Sequence, residues 1–324
     1  MTTFLSKDHD AGNAVVRVDV AQAKPRIRPL RWVLCVVLAV LTAQFVWFLF
    51  TNERFGWDLV WGYLFYPTVL KGLAMSLFIT VIGMVVGSAL GVALAAGQSS
   101  DFFPIRAVCQ LYVGVFRGIP PLVQLIFWFN LAYLLPELSI GIPFGPVFGS
   151  WSSTELISPL TAALIGLSLH EAAYMSEIIR SGINAVDSGQ KDAARAMGFN
   201  GWRTFSRVVL PQAMRIIVPP TGNQFISLLK GTSLVSVIAM TDLLFSVQLI
   251  YNRTYQVVPL LIVACIWYLT IVTLLTFVQR KLEQKYGRGH TRSQGKAPTS
   301  WRSKLGLSPS PIPAVPGPAG VSKP

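Results

Sequence analysis

Charge is scarce in this chain of 324 residues: 13% of them are Asp, Glu, Lys or Arg, against 52% hydrophobic and a mean hydropathy of +0.54. A soluble domain carries roughly a quarter charged residues, so an ordinary water-exposed surface is excluded for most of the length. Cysteine is sparse too. Cys35, Cys109 and Cys265 stand singly in apolar context, which excludes a disulfide framework or a Cys-spaced metal site and leaves them as small buried hydrophobes. Histidine occurs only at 9, 170 and 290, with no paired acidic motif, so a metal-dependent or acid–base enzyme lacks its groups. A Gly-x-x-x-x-Gly-Lys-Ser/Thr phosphate loop is also missing; "LLKGTS" at 228–233 has similar letters without the spacing.

What the chain does have is length in its apolar runs. Residues 32–50, 72–98, 118–136 and 257–278 are free of charge or nearly so, and each approaches or exceeds the roughly 20 residues needed to cross a hydrocarbon core. The run 156–179 is long enough but carries His170, Glu171 and Glu177, and 216–241 is interrupted by Pro219, Pro220, Gly222, Asn223 and Lys230. The first run exceeds a signal-peptide core and no small-x-small site ends it before "TNERFGW", so it is expected to be retained. Six spans result, in an all-α membrane protein.

Net charge is +13, from 27 basic and 14 acidic residues, and its distribution is topological. Lys7, Arg17, Lys24, Arg26, Arg28 and Arg31 precede the first span; Arg280, Lys281, Lys285, Arg288 and further basic residues follow the last. Both termini are therefore expected in the cytoplasm, which agrees with an even number of spans. No nucleic-acid partner is needed to account for the charge. Residues 1–30 read as a cytoplasmic tail, and 286–324, rich in Pro, Ser and Gly, as a disordered one.

Within the spans, Gly83, Gly87 and Gly91 recur every fourth residue and are expected to form a helix-packing seam. Pro120 and Pro121 predict a kink in the span 118–136. Between the fourth and fifth spans, "RSGINAVDSGQKDAARAMGFNGWRTFSRVVLPQAMR" is too well patterned for a simple loop. Asp187 or Ser188 caps a helix over 190–197, Gly198 ends it, and a second helical run starts near Gly201. Ala193, Ala194 and Met197 make a narrow apolar stripe, with Phe199 just after the turn. Such a stripe packs on the chain's own helix ends or docks in a groove on another protein.

Asp192-Ala193-Ala194, then Gly198, Val208 and Leu210-Pro211, resemble the permease signature of ATP-binding-cassette importers: Glu-Ala-Ala, three residues, Gly, nine residues, Ile, one residue, Leu-Pro. Asp replaces Glu at 192 and Val replaces Ile at 208. The blocks "FRGIPPLVQ" at 116–124, "AAYMSEIIRSGI" at 172–183, "LPQAMRIIVPPTGNQF" at 210–225 and "LLKGTSLVSVI" at 228–238 are similar to the polar amino acid subfamily. This resemblance extends over about residues 68–285.

It implies a type I importer permease fold, with a five-helix core at 66–285 and one extra N-terminal helix at 31–51. It implies that the loop 187–210 couples to separate ATPase subunits through Gln190, Asp192, Ala193, Ala194, Met197, Gly198, Phe199, Leu210 and Pro211. ATP and Mg would sit on that partner and no cofactor on this chain. An extracytoplasmic solute-binding protein, a second permease chain and membrane lipid complete the implied assembly, in a bacterial cytoplasmic (inner) membrane.

Candidate path residues are the polar groups of the two impure spans. Helical spacing puts His170, Tyr174 and Glu177 near one face, with Glu171 about 100° round. Glu177 and Arg180 are spaced to pair at the cytoplasmic edge. A midplane pocket of Glu171, His170 and Asn223 suits a solute carrying both an ammonium and a carboxylate, and Tyr174 and Gln224 are further candidates for the path. The alternative function is a gradient-driven secondary transporter or channel, which predicts midspan coupling acids and an internal repeat.

Overall fold

Pro29 opens the first helix, α1 (Pro29–Thr51), in the computed structural model, which describes residues 29–142 and 146–287. The parts of the expected tails at 1–28 and 288–324 lie outside the described residues. The chain divides into two compact units, Met1–Trp57 and Asp58–Pro324. In the first, α1 is apolar around its circumference, with mean hydropathy 2.5 over Trp32–Thr51. A 3-10 turn at Glu53–Phe55 follows it and is closed by Gly56 at φ 55°. Beyond that turn Trp57 stacks on Phe50 (5.4 Å) and donates from Nε1 to Leu49 O (2.8 Å). Amphipathic aromatic rings of this kind suit a membrane–water interface.

The second unit begins with α2 (Trp57–Leu64) and the 32-residue α3 (Pro67–Gln98). Then come α4 (Phe103–Gly118), α5 (Pro121–Phe129), the short α6 (Leu131–Leu134), a hairpin of β1 (Glu137–Gly141) and β2 (Val147–Ser152), and α7 (Ser153–Leu156). The 26-residue α8 (Pro159–Asn184) leads into α9 (Ser188–Ala196), α10 (Gly201–Thr204) and a π-turn at Phe205–Val209. That turn continues into α11 (Leu210–Gly231) and a 3-10 segment at Thr232–Ile238; α12 (Leu243–Thr254) and α13 (Val257–Gly287) complete the described residues.

The glycine seam packs α3 on α8. A Cβ on Gly87 would lie 2.7 Å from Glu171 Cβ, and one on Gly91 2.7 Å from Met175 Cβ. At these two positions no larger residue fits without parting the helices. Around this contact the core gathers Ile79, Leu125, Ala163, Leu167, Leu228 and Val235, drawn from α3, α5, α8, α11 and the 3-10 segment.

Among the described residues three helical stretches are long and apolar enough to cross a membrane alone: Trp32–Thr51, Pro67–Gln98 and Val257–Gln284. The bent pairs Phe103–Gly118 with Pro121–Phe129 and Gly201–Ile238 with Leu243–Thr254 raise the number to as many as five. The helix α8 is long enough, at about 39 Å, but its polar groups dilute it.

Several sequence expectations are corrected. The span 118–136 is not one kinked helix: it starts at the end of α4, turns by 103° at Ile119–Pro120, and continues as only nine residues of α5. Conversely, α11 runs straight through Pro219 and Pro220, and the chain breaks later, where Ala239 adopts φ 57°. A proline removes its own N–H but leaves a helix standing when neighbours hold it; here Gln279 of α13 reaches Asn223 Oδ1 at 2.8 Å and Pro219 O at 3.5 Å. The β-hairpin, in which Glu137 pairs with Ser152 and Ser139 with Ser150, is a β element in a chain read as all-α.

Candidate functional site

The helix–turn–helix over 187–210 is present, and its local chemistry explains its order. Asp187 Oδ1 accepts from Gly189 N (2.8 Å) at the start of α9. Gly198, at φ 81°, lets its own N–H and that of Phe199 return to Arg195 O (2.9 Å) and Ala194 O (3.1 Å), so the free carbonyls at the helix end are satisfied. Asn200 Oδ1 then caps α10 by accepting from Arg203 N (2.8 Å).

The apolar stripe on α9 divides. Ala194 is buried, while Met197 is 68% exposed and Trp202 on α10 73% exposed. Gln190, Asp192, Ala193 and Gly198 are exposed as well, as are Leu210 and Pro211, and Phe199 is half-buried. Asp192 pairs only with Arg195 on the surface, at 3.3 Å. The result is a small rigid platform, held from beneath by Ala194 against its own chain and presenting two large apolar side chains outward. Trp202 was not singled out by the sequence reading; its place four residues past Gly198 was the available signal.

The five candidate path residues do not form one site. Glu171, 1% exposed, sits at the junction of α3, α8 and α11, with Oε2 accepting from Gln224 Nε2 at 3.1 Å. Among the described residues Oε1 has no hydrogen-bond partner. An unsatisfied buried acceptor costs about 1–3 kcal/mol, so the carboxyl is retained against stability. His170 and Tyr174 lie on a different face of α8, as the helical spacing predicts, with ring centroids 4.9 Å apart. Asn223 is exposed and turned to α13, where it accepts from Gln279 Nε2. That amide also donates to Glu283 Oε1 at 2.9 Å. A largely apolar cavity of about 440 Å³ opens beside it, lined by Met84, Val218, Phe225, Leu275 and Gln279 among others. The expected midplane pocket thus separates into a Glu171–Gln224 pair and an Asn223–Gln279 pair.

The face of α8 bearing His170, Tyr174 and Glu177 meets the bend between α4 and α5. Gln124, buried, donates from Nε2 to Phe116 O and Ile119 O, both at 2.8 Å, and stands 3.3 Å from His170 Nδ1. Its amide therefore satisfies two carbonyls left free where α4 ends and ties the bend to α8. Glu177 pairs with Arg180 as expected, through Nε at 3.2 Å and Nη2 at 2.9 Å. Arg117, in the last turn of α4, approaches the same carboxylate at 3.8 Å and lies over the Tyr174 ring at 5.4 Å. Gln98 at the end of α3 donates to Ser176 Oγ at 3.3 Å, so the ends of α3 and of α4 both reach the same turn of α8.

Arg117 and Gln124 lie in the block "FRGIPPLVQ", but helical phase in a sequence does not carry across a bend of this size. Asp242 was missed for another reason: it follows an apolar run and reads as its polar edge. Fully buried, it caps α12 by accepting from Phe245 N (2.8 Å), and Tyr268 of α13 donates to its other oxygen at 3.4 Å.

Comparison with known proteins follows this geometry. The sequence model of the family described as "Binding-protein-dependent transport system inner membrane component" matches residues 87–288. The chain is similar to the arginine transport system permease protein ArgU of Corynebacterium glutamicum, 40% identical over 275 residues that cover 84% of this chain and 85% of that protein. It is similar also to the arginine transport system permease protein ArtQ of Bacillus subtilis, 37% identical over 68% of this chain and 92% of the relative. Among solved structures, one described as an amino acid ABC transporter with histidines superposes with a TM-score of 0.58 at 33% identity, over 68% of this chain and 94% of the other.

Proposed function

The chain belongs to the inner-membrane components of binding-protein-dependent transport systems, and from that membership we propose that it imports a cationic amino acid, the class for which two of its relatives are named. It is a permease subunit of an ABC importer, and this family displaces the gradient-driven alternative. The fuller assembly is part of the proposal. A second permease chain completes the path, two ATPase subunits hold ATP and Mg, an extracytoplasmic binding protein delivers the solute, and both termini are cytoplasmic.

The observation that supports this reading best is the capped turn at 187–210. A platform with Met197 and Trp202 exposed on it has no use within the chain, whereas a groove on another subunit would bury both. In this reading Gln190, Asp192, Ala193, Gly198, Phe199, Leu210 and Pro211 shape the docking surface and Ala194 supports it from behind. Glu171, with Gln224, is the path group for the solute's cationic end, while His170, Tyr174 and Asn223 are further path positions.

Co-purification with the ATPase and ATP-driven arginine uptake test the platform. Met197→Asp together with Trp202→Asp should leave the protein inserted and lose about tenfold or more of the ATPase association, as for removal of central apolar anchors. Wild-type association and uptake in that variant would remove the support for the coupling role.

A further inference from the structure

Three charges meet where α4 ends against α8, and they do not balance. Glu177 is the one carboxylate, and Arg180 already holds it through two hydrogen bonds at 2.9 and 3.2 Å. Arg117 stands 3.8 Å from the same carboxylate, and among the described residues its guanidinium makes no hydrogen bond. One positive charge is left over. Arg117 is not loose, however. Its carbon lies 5.4 Å from the centroid of Tyr174, a cation–π contact that holds a guanidinium without using its N–H donors. Tyr174 in turn rests near His170, and Gln124 fixes the bend that Arg117 immediately precedes. The side chain remains 45% exposed. A guanidinium held on an aromatic face, with its planar fork of donors unspent, is suited to two parallel hydrogen bonds to a carboxylate.

We propose that Arg117 receives the carboxylate of the transported amino acid, with Glu177–Arg180 and Tyr174 serving to hold it in place. This assignment rests on the amino acid reading above and adds which end of the solute is recognised at the α4–α5 bend. Glu177 has a definite part: its partial claim on Arg117 keeps the guanidinium near the Tyr174 ring when no solute is present, and a solute carboxylate displaces a weak 3.8 Å pairing rather than a strong one.

The test uses the assembled permease–ATPase complex in detergent without its binding protein, so that affinity belongs to the membrane subunits. Equilibrium binding of radiolabelled L-arginine is compared with that of L-argininamide, which keeps both cationic groups and lacks the carboxylate. Wild type should prefer arginine by about tenfold or more, equal to about 1.4 kcal/mol. Arg117→Gln should lose that preference by weakening arginine alone, Arg117→Lys should recover part of it, and Glu177→Gln should keep or increase it. ATPase co-purification and a monodisperse elution profile show that each variant is folded.

A preference that survives in Arg117→Gln, or one that Glu177→Gln abolishes to the same extent, overturns the assignment in favour of a structural latch. Equal binding of both probes by wild type refutes carboxylate recognition while leaving the amino acid reading intact. Binding of neither, tested across cationic and neutral amino acids, refutes that reading and this inference with it.

Discussion

Gly83 and Gly87 lie one turn apart on the same face of α3, yet the structure predicts opposite outcomes when each becomes alanine. At 83 a new Cβ meets Leu228 Cδ2 at 3.4 Å and Ser168 Oγ at 3.9 Å, ordinary contact distances. At 87 it meets Glu171 Cβ at 2.7 Å, Cγ at 2.9 Å and the Ser168 carbonyl oxygen at 3.1 Å. Carbon atoms pack best at about 3.5–4.0 Å, so α3 and α8 must part by most of an ångström at 87, and a backbone carbonyl on that face cannot rotate away.

Overpacking of that kind costs about 1–3 kcal/mol, while replacing glycine within a helix returns up to about 1 kcal/mol. Gly83→Ala should therefore be neutral or stabilising by up to about 1 kcal/mol, and Gly87→Ala destabilising by about 1–2 kcal/mol. At roughly 2–4 °C per kcal/mol for chains of 150–250 residues, the apparent Tm values of the two variants should differ by several degrees. Size-exclusion recovery after a heating series in one detergent measures this. Equal Tm values, or a larger loss at Gly83, would refute the account of the seam as a graded close approach centred on Glu171.

Glu171→Gln keeps the shape and the bond to Gln224 but removes the charge, so it should fold like wild type, reduce uptake of arginine by about tenfold or more, and spare a neutral amino acid if one is carried at all; parallel uptake assays in vesicles decide this. Gln124→Leu leaves the carbonyls of Phe116 and Ile119 without their donor and should lower stability by about 2–4 kcal/mol, with transport falling as the bend loosens, as heating series and uptake together would register. Ala194→Asp should disturb the α9 turn itself, seen as faster proteolysis at 187–210, whereas the Met197 and Trp202 substitutions should leave that turn intact.

What was legible in the sequence depended on repetition and on short-range chemistry. The apolar runs 32–50, 72–98 and 257–278, the four-residue glycine spacing and the Asp187 and Gly198 caps each announce themselves within a few residues, and each has its expected local structure. The bend at Ile119–Pro120 could not be sized, because two prolines give the place of a break and not its angle. Pro219 and Pro220 gave the opposite difficulty: they predict a break that α11 does not make, since packing against Gln279 outweighs a local preference. Glu171 and Asn223 were grouped on polarity alone, and only the packing of α3 and α13 separates them. Asp242 escaped notice because its partner Tyr268 is 26 residues away, a distance at which sequence pattern carries no signal.

From Gly201 to Ile238 the chain is helical without interruption, through α10, the π-turn, α11 and the 3-10 segment. Its α10-to-α11 part alone, Gly201 to Gly231, is about 45 Å long, with the π-turn at Phe205–Val209 inside it. A tilt of only about 5° over that length carries one end through about 4 Å. Among the described residues Gln224 is the one donor to Glu171, and it lies 22 residues along this helical stretch from Trp202, about 33 Å. The hydrogen bond at 3.1 Å therefore ties the carboxyl of α8 to a helix that continues, through the π-turn, to the exposed Trp202.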